Sequence, residues 1–241
     1  MPSPPLQLIA MHGWAGAASH WTPWRAATAE RPWTWCCGER GYGGGETFTP
    51  SWGTEGRRVV LAHSLGPHLL AAELLAAAEA VVLLASFGRF VPPGRAGRRV
   101  RTGLAGMAAA LADGPDEPTA ASRAQAMLAA FLARVAAPEP LALMPPGLAD
   151  APVGPVGRAR LRDDLGRLAA CEGMPSGWRD GIPVLLVEAG ADGIVEPQAQ
   201  SLLRERLPGA EVCRFPLAGH ALLQAPLIPL VLEWLERSLA T

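Results

Sequence analysis

The feature that most constrains this chain is a short apolar run that ends at a serine. The residues from Val59 to Leu61 have the composition of a buried strand, and the stretch from Pro67 to Ala78, with a proline in its first turn, predicts a helix. Ser64 therefore lies in a sharp turn between strand and helix. Such a turn holds the serine in a strained backbone conformation that lifts its hydroxyl clear of the sheet. It also needs small residues two positions to either side, and Ala62 and Gly66 occupy those positions.

Five further apolar runs predict the rest of a sheet. They alternate with helical patterns, which favours parallel strand order, a mostly parallel sheet flanked by helices and an α/β fold. The predicted strands cover residues 6–11, 33–37, 80–85, 182–187 and 211–215, and helices are predicted at 198–207 and 227–239.

The region from residue 89 to residue 180 differs from the rest of the chain in composition and hydrophobic pattern. Helical patterns rich in Ala, Leu and Arg occur at 103–113, 119–136 and 157–170, with proline and glycine between them and no β-rich run. We therefore expect a helical lid formed by residues 89–180, inserted into a core formed by residues 1–88 and 181–241.

Composition excludes several classes of protein. At 241 residues, with 49% hydrophobic and 18% charged residues, the chain fits one globular domain with insertions. Its 21 basic residues nearly balance its 22 acidic ones, which predicts neither a nucleic acid nor a membrane surface as partner. The four cysteines have no C-x-x-C spacing, so neither a zinc site nor a disulfide framework is indicated.

Targeting features are also missing from the sequence pattern. No basic region precedes an apolar core near the N-terminus, as it would in a signal peptide. The most apolar stretch of sufficient length, Leu69 to Ser86, contains Glu73 and Glu79, which disfavours a membrane span. We expect a cytoplasmic monomer with reduced thiols.

Three polar residues each follow a predicted strand, in the order serine, aspartate, histidine. They are Ser64, Asp192 and His220. Because parallel strands end at one edge of a sheet, the three side chains can meet there. A serine hydroxyl needs an imidazole to take its proton, and the imidazole needs a carboxylate to fix its tautomer and stabilise its positive charge. The pattern therefore predicts a catalytic triad for nucleophilic attack by Ser64.

Backbone amides are candidates to stabilise the anionic intermediate of such a reaction. The Leu65 N–H adjoins the nucleophile, and the Trp14 N–H lies in the glycine-rich loop after the first predicted strand. We expect these two amides to form an oxyanion hole. For Trp14, simple core packing is the alternative.

Other residues compete for the catalytic roles. His12 is expected to be structural, His20 and His68 to lie on a helix surface or in the core, and His63 to pack beside the serine turn. Asp192 has its own alternative as a solvated turn residue, as we expect for the acidic residues Asp163, Asp164 and Asp180.

These residues carry a resemblance to the α/β-hydrolase superfamily that covers nearly the whole chain. Within it, several segments look like the pimeloyl-acyl-carrier-protein methyl ester carboxylesterases of biotin synthesis. The segments are His12-Gly13-Trp14, Ser64-Leu65-Gly66, Leu84-Ala85-Ser86, the leucines Leu161, Leu165 and Leu168, and the run from Gly190 to Pro197. The resemblance implies an α/β-hydrolase fold with a helical lid and hydrolysis of a methyl ester held on an acyl carrier protein.

The chain departs from that family at identifiable positions. Ala62 replaces a glycine before the serine, and Glu39 replaces an aspartate after the second strand. Ala126 and Ala130 stand where the family has lid arginines that hold the carrier protein. Two other clusters are candidates for that contact, Arg95 to Arg101 and Arg158 to Arg162, although such arginines are more often solvated helix faces.

The sequence thus predicts a serine carboxylesterase that needs no cofactor. Its acyl-chain channel is expected to be lined by Trp14, Phe87, Phe131 and Leu223. One alternative is a hydrolase of broad specificity for small esters, thioesters or carbon–carbon bonds. The alternative of another class is a module of the same fold that binds a ligand without turning it over.

Overall fold

The protein is described by a computed structural model that covers residues 5–148, 150–223 and 225–239. Its centre is a six-stranded sheet in the order β2-β1-β3-β4-β5-β6, in which every neighbouring pair is parallel. The predicted mostly parallel sheet is confirmed. The strands are β1 (Leu6–Met11), β2 (Trp33–Gly38), β3 (Arg57–His63), β4 (Ala80–Leu84), β5 (Val184–Ala189) and β6 (Glu211–Phe215).

Helices cover both faces of the sheet. They are α1 (Thr22–Ala27), α2 (Gly66–Leu69), α3 (Ala72–Ala76), α4 (Gly94–Ala110), α5 (Glu117–Ala136), α6 (Pro155–Ala170), α7 (Pro197–Arg206) and α8 (Leu227–Ser238). No helix among these is long and apolar enough to cross a membrane.

Alternate residues of the central strands feed two apolar clusters. Leu8, Leu61 and Val82 point to one face, where they pack in a cluster with the indoles of α1 and α8. Their neighbours in sequence, among them Val60 and Leu83, point to the other face and pack against α3 and α7. Because helices cover both faces of the sheet, consecutive residues of these strands are apolar.

The prediction of one continuous helix from Pro67 to Ala78 is wrong. The chain is extended at Leu70 and Ala71, so two short helices, α2 and α3, take its place. This offset turns Leu70, Leu74 and Leu75 all toward the same buried cluster. The apolar contacts therefore override the helical propensity of the alanine-rich segment.

Between β4 and β5 the chain forms α4, α5 and α6, each beginning earlier than predicted. These helices pack over the carboxyl ends of the strands through a third apolar cluster, which includes Trp14 and Leu65. The Asp116 side chain caps α5 by accepting a hydrogen bond from the Thr119 N–H at 2.8 Å. The division of the chain into a core and a lid stays a prediction.

Two expectations about charged residues of α6 are corrected. Asp164 is not solvated: its side chain is 0% exposed and accepts hydrogen bonds from Arg40 and Tyr42. Arg158 is 1% exposed and pairs with Glu117 at 2.7 Å. The segment from Arg158 to Arg162 is therefore not a continuous basic surface, because the Arg158 guanidinium is buried and pairs with Glu117.

Candidate functional site

Ser64 lies in a strained turn at the end of β3, as the sequence predicts. Its φ is 56°, in the left-handed region that side chains rarely adopt. The small neighbours are required by close packing, since a Cβ on Gly66 would lie 2.4 Å from the Met11 carbonyl oxygen and one on Gly13 would lie 2.8 Å from the Ser64 Cβ. The hydroxyl of Ser86 donates to the Ser64 carbonyl at 2.7 Å and braces the turn from β4.

The three side chains predicted to converge do so at the carboxyl edge of the sheet. His220 Nε2 lies 3.0 Å from Ser64 Oγ, and His220 Nδ1 lies 2.9 Å from Asp192 Oδ2. Ser64 and His220 are only 6% and 2% exposed. With the proton of the imidazole on Nδ1, the histidine donates to Asp192 and accepts from the serine hydroxyl, so the chain of hydrogen bonds is continuous.

The Asp192 carboxylate is held in its ionised form. Its Oδ1 accepts hydrogen bonds from the backbone N–H groups of Ile194 at 2.7 Å and Val195 at 2.9 Å. Burial acts to raise the pKa of Asp192, but the nearby His220 and these amide donors outweigh burial and lower it. A stable negative charge therefore lies beside the Nδ1 face of His220.

A second histidine supports the first. His63 Nε2 lies 3.0 Å from the carbonyl oxygen of His220, and the two rings are 4.9 Å apart between centroids. Burial, followed by the proximity of His220, lowers the pKa of His63 to about 3, so its ring is neutral. In that form its Nε2–H donates to the His220 carbonyl and holds the loop that carries His220.

Two of the other histidines, His12 and His68, contact backbone carbonyls away from the serine. His12 is buried with its Nδ1 2.8 Å from the Gly13 carbonyl oxygen. His68 Nε2 lies 3.0 Å from the Phe87 carbonyl oxygen. For His20 and His68, burial is the main cause that lowers the pKa. Of the five histidines, His220 alone has a ring nitrogen within hydrogen-bonding distance of the Ser64 hydroxyl.

The two backbone N–H groups predicted to form an oxyanion hole are not used in hydrogen bonds of the fold itself. Within residues 5–148, 150–223 and 225–239, the backbone N–H groups of Trp14 and Leu65 make no hydrogen bond. The Trp14 side chain is fixed by its indole N–H, which donates to the Leu161 carbonyl of α6 at 2.8 Å. Its ring also meets Phe131 of α5 edge to face, with centroids 4.8 Å apart. The loop after β1 is thereby held against the helices that lie over the site.

Two cavities reach Ser64 from different sides. The first, of about 280 Å³, is also lined by His220 and by Leu223, and we call it the His220-side cavity. The second, of about 640 Å³, lies between α4 and α5 without contact to His220, and we call it the lid cavity. Trp14 and Phe131, like Ser64, line both cavities.

The expectation that Phe87 lines an acyl channel is corrected. Phe87 is 1% exposed, stacks on His68 and packs against Phe90. It lines neither cavity at Ser64. Three of the four predicted lining residues, Trp14, Phe131 and Leu223, do lie on cavity walls.

Several lining residues escaped the sequence analysis. Met107 of α4 and Met127 of α5 face the lid cavity, and Trp24 of α1 and Ile228 of α8 face the His220-side cavity. The paired indoles of Trp21 and Trp24 are visible in the sequence, but nothing local indicates that they approach the serine. They come there through the apolar cluster that they form with residues of β3 and α8.

The glycine-rich segment after β2 serves the structure around Glu39. The Glu39 carboxylate accepts hydrogen bonds from the Ala18 N–H at 2.8 Å and the Gly41 N–H at 2.6 Å. Burial acts to raise the pKa of Glu39, but the nearby His12 ring and these two amide donors lower it to about 2. In the described part of the chain, no three His, Cys, Asp or Glu side chains are grouped so that they could hold a metal ion.

Solved structures similar to this one span almost the whole chain. An esterase from Exiguobacterium antarcticum has a TM-score of 0.65 at 14% identity, covering 98% of this chain and 92% of its own. The enol-lactonase from Burkholderia xenovorans LB400 has a TM-score of 0.66 at 15% identity, with 98% and 92% coverage. A bromoperoxidase from Bacillus anthracis has a TM-score of 0.65 at 17% identity, with 96% and 91% coverage.

These similarities establish the architecture of the chain. The similar structures are proteins of the α/β-hydrolase fold, so the predicted fold is confirmed. No protein-family model matches the sequence, and no curated protein matches it. At these identities the similarity concerns the fold alone, since one fold can carry different chemistries.

Proposed function

We propose that this protein is a serine-dependent hydrolase of carboxylic esters that works through an acyl-enzyme. The observation that carries the proposal is the unbroken contact from Asp192 through His220 to Ser64, at 2.9 Å and 3.0 Å. A nucleophile next to a base that is itself oriented by a third group is the arrangement that activates a serine hydroxyl.

Acylation follows from this geometry. The Ser64 hydroxyl transfers its proton to His220 Nε2 as its oxygen bonds to the ester carbonyl carbon. The carbonyl oxygen becomes an anion, and the free N–H groups of Trp14 and Leu65 are the donors placed to receive it. His220 then gives its proton to the departing alcohol oxygen, and Asp192 stabilises the imidazolium in the meantime.

Deacylation repeats the same steps with water. His220 takes a proton from a water molecule, whose oxygen attacks the acyl carbon bound to Ser64. Collapse of the second tetrahedral intermediate releases the carboxylic acid, and His220 returns the proton to Ser64. The proton transfers in both halves of the reaction use the Asp192, His220 and Ser64 side chains, which are already in contact, and no cofactor takes part in this mechanism.

Labelling with a fluorophosphonate tests the proposal directly. We expect the probe to modify Ser64 and to abolish hydrolysis of p-nitrophenyl esters. Ser64→Ala should prevent both labelling and turnover, whereas Ser122→Ala, on the exposed surface of α5, should change neither. A folded protein that is not labelled and does not turn over esters would instead be the non-catalytic binding module.

The substrate that we propose from the family resemblance is the methyl ester of pimeloyl-acyl-carrier protein. Support comes from the lid cavity, which is mainly apolar and is lined by the charged residues Arg99, Arg134 and Glu196. Arg95, Arg98 and Arg101 are exposed on the same helix as Arg99, and no acidic partner of these three occurs among the described residues. An acidic carrier protein could be held at this surface by opposite charge.

A comparison of carrier-bound and free substrates tests that assignment. We expect the carrier-bound ester to be hydrolysed with the higher kcat/KM. Arg98→Glu combined with Arg101→Glu should remove the advantage, whereas Arg214→Glu, at the exposed edge strand β6, should keep it. Equal rates on carrier-bound and free esters would favour the broad-specificity alternative. Rescue of a biotin-requiring strain that lacks its esterase would support the carrier-bound substrate and the expected cytoplasmic location.

A further inference from the structure

The Ser86 hydroxyl binds a peptide group that also belongs to the oxyanion hole. The carbonyl of Ser64 accepts from this hydroxyl at 2.7 Å, and Ser86 is only 5% exposed. The same peptide group contains the Leu65 N–H, one of the two donors placed to receive the oxyanion. Because a peptide group is planar and trans, its C=O and N–H point in opposite directions. Ser86 therefore holds this group from the side opposite to the substrate.

The position of Ser86 depends on an unusual backbone conformation. Ala85, the residue before it, has a φ of 44°, in the left-handed region that side chains rarely adopt. The Ala85 N–H still donates to the Val187 carbonyl of β5 at 2.8 Å, so the strand pairing continues to this point. The left-handed turn then brings the Ser86 hydroxyl against the turn that carries Ser64. Strained residues of this kind persist where the surrounding fold fixes them, and they cluster at functional sites.

The peptide group of the other oxyanion donor is held in the same manner. The Trp14 N–H shares its peptide group with the Gly13 carbonyl, whose oxygen lies 2.8 Å from His12 Nδ1. His12 Nε2 accepts from the Arg40 N–H at 3.3 Å, so the ring proton is on Nδ1 and is donated to Gly13. A Cβ on Gly13 would lie 2.8 Å from the Ser64 Cβ, so this peptide group adjoins the nucleophile. Both donors of the oxyanion hole thus have a buried side chain bound to the carbonyl behind them.

A hydrogen bond on a carbonyl oxygen affects the N–H of the same peptide group in two ways. It fixes the plane of the group, so the N–H already has its direction when the oxyanion forms and no reorganisation is needed. It also draws electron density toward the carbonyl oxygen, and hydrogen bonds linked in this way strengthen one another. The Leu65 N–H is therefore better fixed and a stronger donor with Ser86 in place than without it.

We propose that Ser86 is a positioning residue of the oxyanion hole, which acts on the anionic intermediate through the peptide group between Ser64 and Leu65. Its hydroxyl does not have to touch the substrate. The inference rests on the proposed ester hydrolysis and adds to it a residue outside the triad. Loss of the hydroxyl should weaken the stabilisation of the anion and leave binding of the uncharged ester almost unchanged.

An alkyl trifluoromethyl ketone provides the test, because its adduct contains the oxyanion. Ser64 Oγ bonds to the carbonyl carbon of the ketone, the serine proton passes to His220, and the carbonyl oxygen becomes the anion of a hemiketal; no group leaves. With carbon-13 at that carbon, NMR over a range of pH gives the pKa of the hemiketal hydroxyl. This pKa reports how well the anion is stabilised once the bond has formed, whereas a displaced nucleophile changes the affinity for the ketone.

Ser86→Ala should raise the pKa of the hemiketal hydroxyl by about 1, which corresponds to an anion stabilised about tenfold less. We expect kcat/KM for a p-nitrophenyl ester to fall by a similar factor. The loss is smaller than the roughly 10²–10³-fold cost of removing an oxyanion donor, because the Leu65 N–H is still present. Ser86→Thr keeps a hydroxyl and should restore the pKa of the unsubstituted adduct. If the added methyl group is not tolerated, Ser86→Cys, with its weaker S–H donor, should give an intermediate pKa.

The matched control is another buried hydroxyl that donates to a backbone carbonyl. Thr28 is 2% exposed, and its Oγ1 donates to the Trp24 carbonyl at 3.0 Å. Thr28→Val removes this hydroxyl at nearly constant volume, and it should lower the urea midpoint without changing the hemiketal pKa. An equal rise of the hemiketal pKa in Thr28→Val and Ser86→Ala would show that the pKa follows a general loosening of the fold, and the inference would be wrong.

The hemiketal pKa also separates the inference from a simpler role of Ser86. If Ser86→Ala changed only the affinity for the ketone, the hydroxyl would place the nucleophile and not the oxyanion donor. That result would overturn the inference and leave the proposed function standing. If the unsubstituted protein formed no adduct and did not turn over esters, the proposed function would fail, and the inference with it.

Discussion

At the scale of single residues, the site depends on which proton each group carries. Asp192 Oδ1 is occupied by two backbone N–H donors, so only Oδ2 is left for His220. The carboxylate cannot rotate without losing those amides. The imidazole is therefore fixed with its proton on Nδ1, which leaves Nε2 free to accept the proton of Ser64.

Asp192→Asn tests whether Asp192 fixes the tautomer of His220. If the amide oxygen keeps the two backbone donors, its NH2 group faces His220 Nδ1 and selects the tautomer that cannot act as a base. We expect kcat for a p-nitrophenyl ester to fall by about 10⁴-fold, as for a triad aspartate replaced by asparagine. Asp163→Asn, at an exposed position of α6, should leave kcat unchanged.

His63 is expected to act by positioning His220 rather than by contact with substrate atoms. His63→Ala removes the donor to the His220 carbonyl, so the histidine loop should move and kcat should fall while KM changes little. His63→Gln, which can still donate to that carbonyl, should recover part of kcat. Equal kcat for the alanine variant and the unsubstituted protein would show that the contact at 3.0 Å does not position His220.

Single residues were predictable from sequence where their role is local. Ser64 follows β3 directly, and Asp192 and His220 lie in the loops that begin at the ends of β5 and β6, so strand prediction places all three at one edge of the sheet. Phe87 also follows a strand, but its ring turns into the core beside Phe90. The direction of a side chain after a strand depends on the packing of distant helices, so it cannot be predicted from the local sequence.

At the scale of elements, α6 is attached to the loops of the sheet by polar contacts. Asp164 accepts from Arg40 Nε at 2.7 Å, from Arg40 Nη2 at 2.8 Å and from the Tyr42 hydroxyl at 2.8 Å. Arg160 donates to the Gly41 carbonyl at 2.8 Å. Burial and the charge of Asp164 both raise the pKa of Tyr42, so its hydroxyl keeps its proton and stays a donor.

Removal of the Asp164 carboxylate should loosen α6. Asp164→Asn leaves Arg40 without its charged partner in a partly buried place, and we expect the free energy of unfolding to fall by about 3 kcal/mol. Urea denaturation measures this change. Asp163→Asn, one residue earlier but exposed, should shift the stability by less than about 0.5 kcal/mol. A similar small change for both variants would contradict an anchoring role for Asp164.

These attachments lie beyond sequence analysis because their partners are far apart in the chain. Arg40 and Asp164 are separated by 124 residues, and each one alone has the pattern of a solvated charge. The strands were more predictable, since an apolar run that is buried on both faces has the same composition whatever packs on it. The break between α2 and α3 illustrates the opposite case, in which contacts decide against local propensity.

At the scale of the whole molecule, ionisable groups buried around the site link folding to pH. Burial is the main cause that lowers the pKa values of His20, His63 and His68. Each of these histidines binds a proton more readily in the unfolded chain than in the folded protein. The stability of the fold must therefore decrease as the pH falls below their ordinary pKa of about 6.5.

Carboxylates act in the same direction at lower pH. The pKa of Glu39 is about 2 in the fold, because hydrogen bonds to its ionised form outweigh its burial, and the pKa of Asp192 is lowered by His220 and backbone amides against burial. Their contributions to stability are complete above the ordinary carboxyl pKa of about 4 and are lost on further acidification. Histidines and carboxylates thus define two successive windows of acid destabilisation.

His63→Gln should separate the two windows. The folded pKa of His63 is about 3, so the unsubstituted protein is destabilised by this residue from about pH 6.5 down to about pH 3. Glutamine does not titrate, and it can keep the hydrogen bond to the His220 carbonyl. We expect the urea midpoint of the variant to fall less between pH 7 and pH 5 than that of the unsubstituted protein. Below about pH 3 the two should lose stability through the same carboxylates, and parallel losses over the whole range would contradict a buried neutral His63.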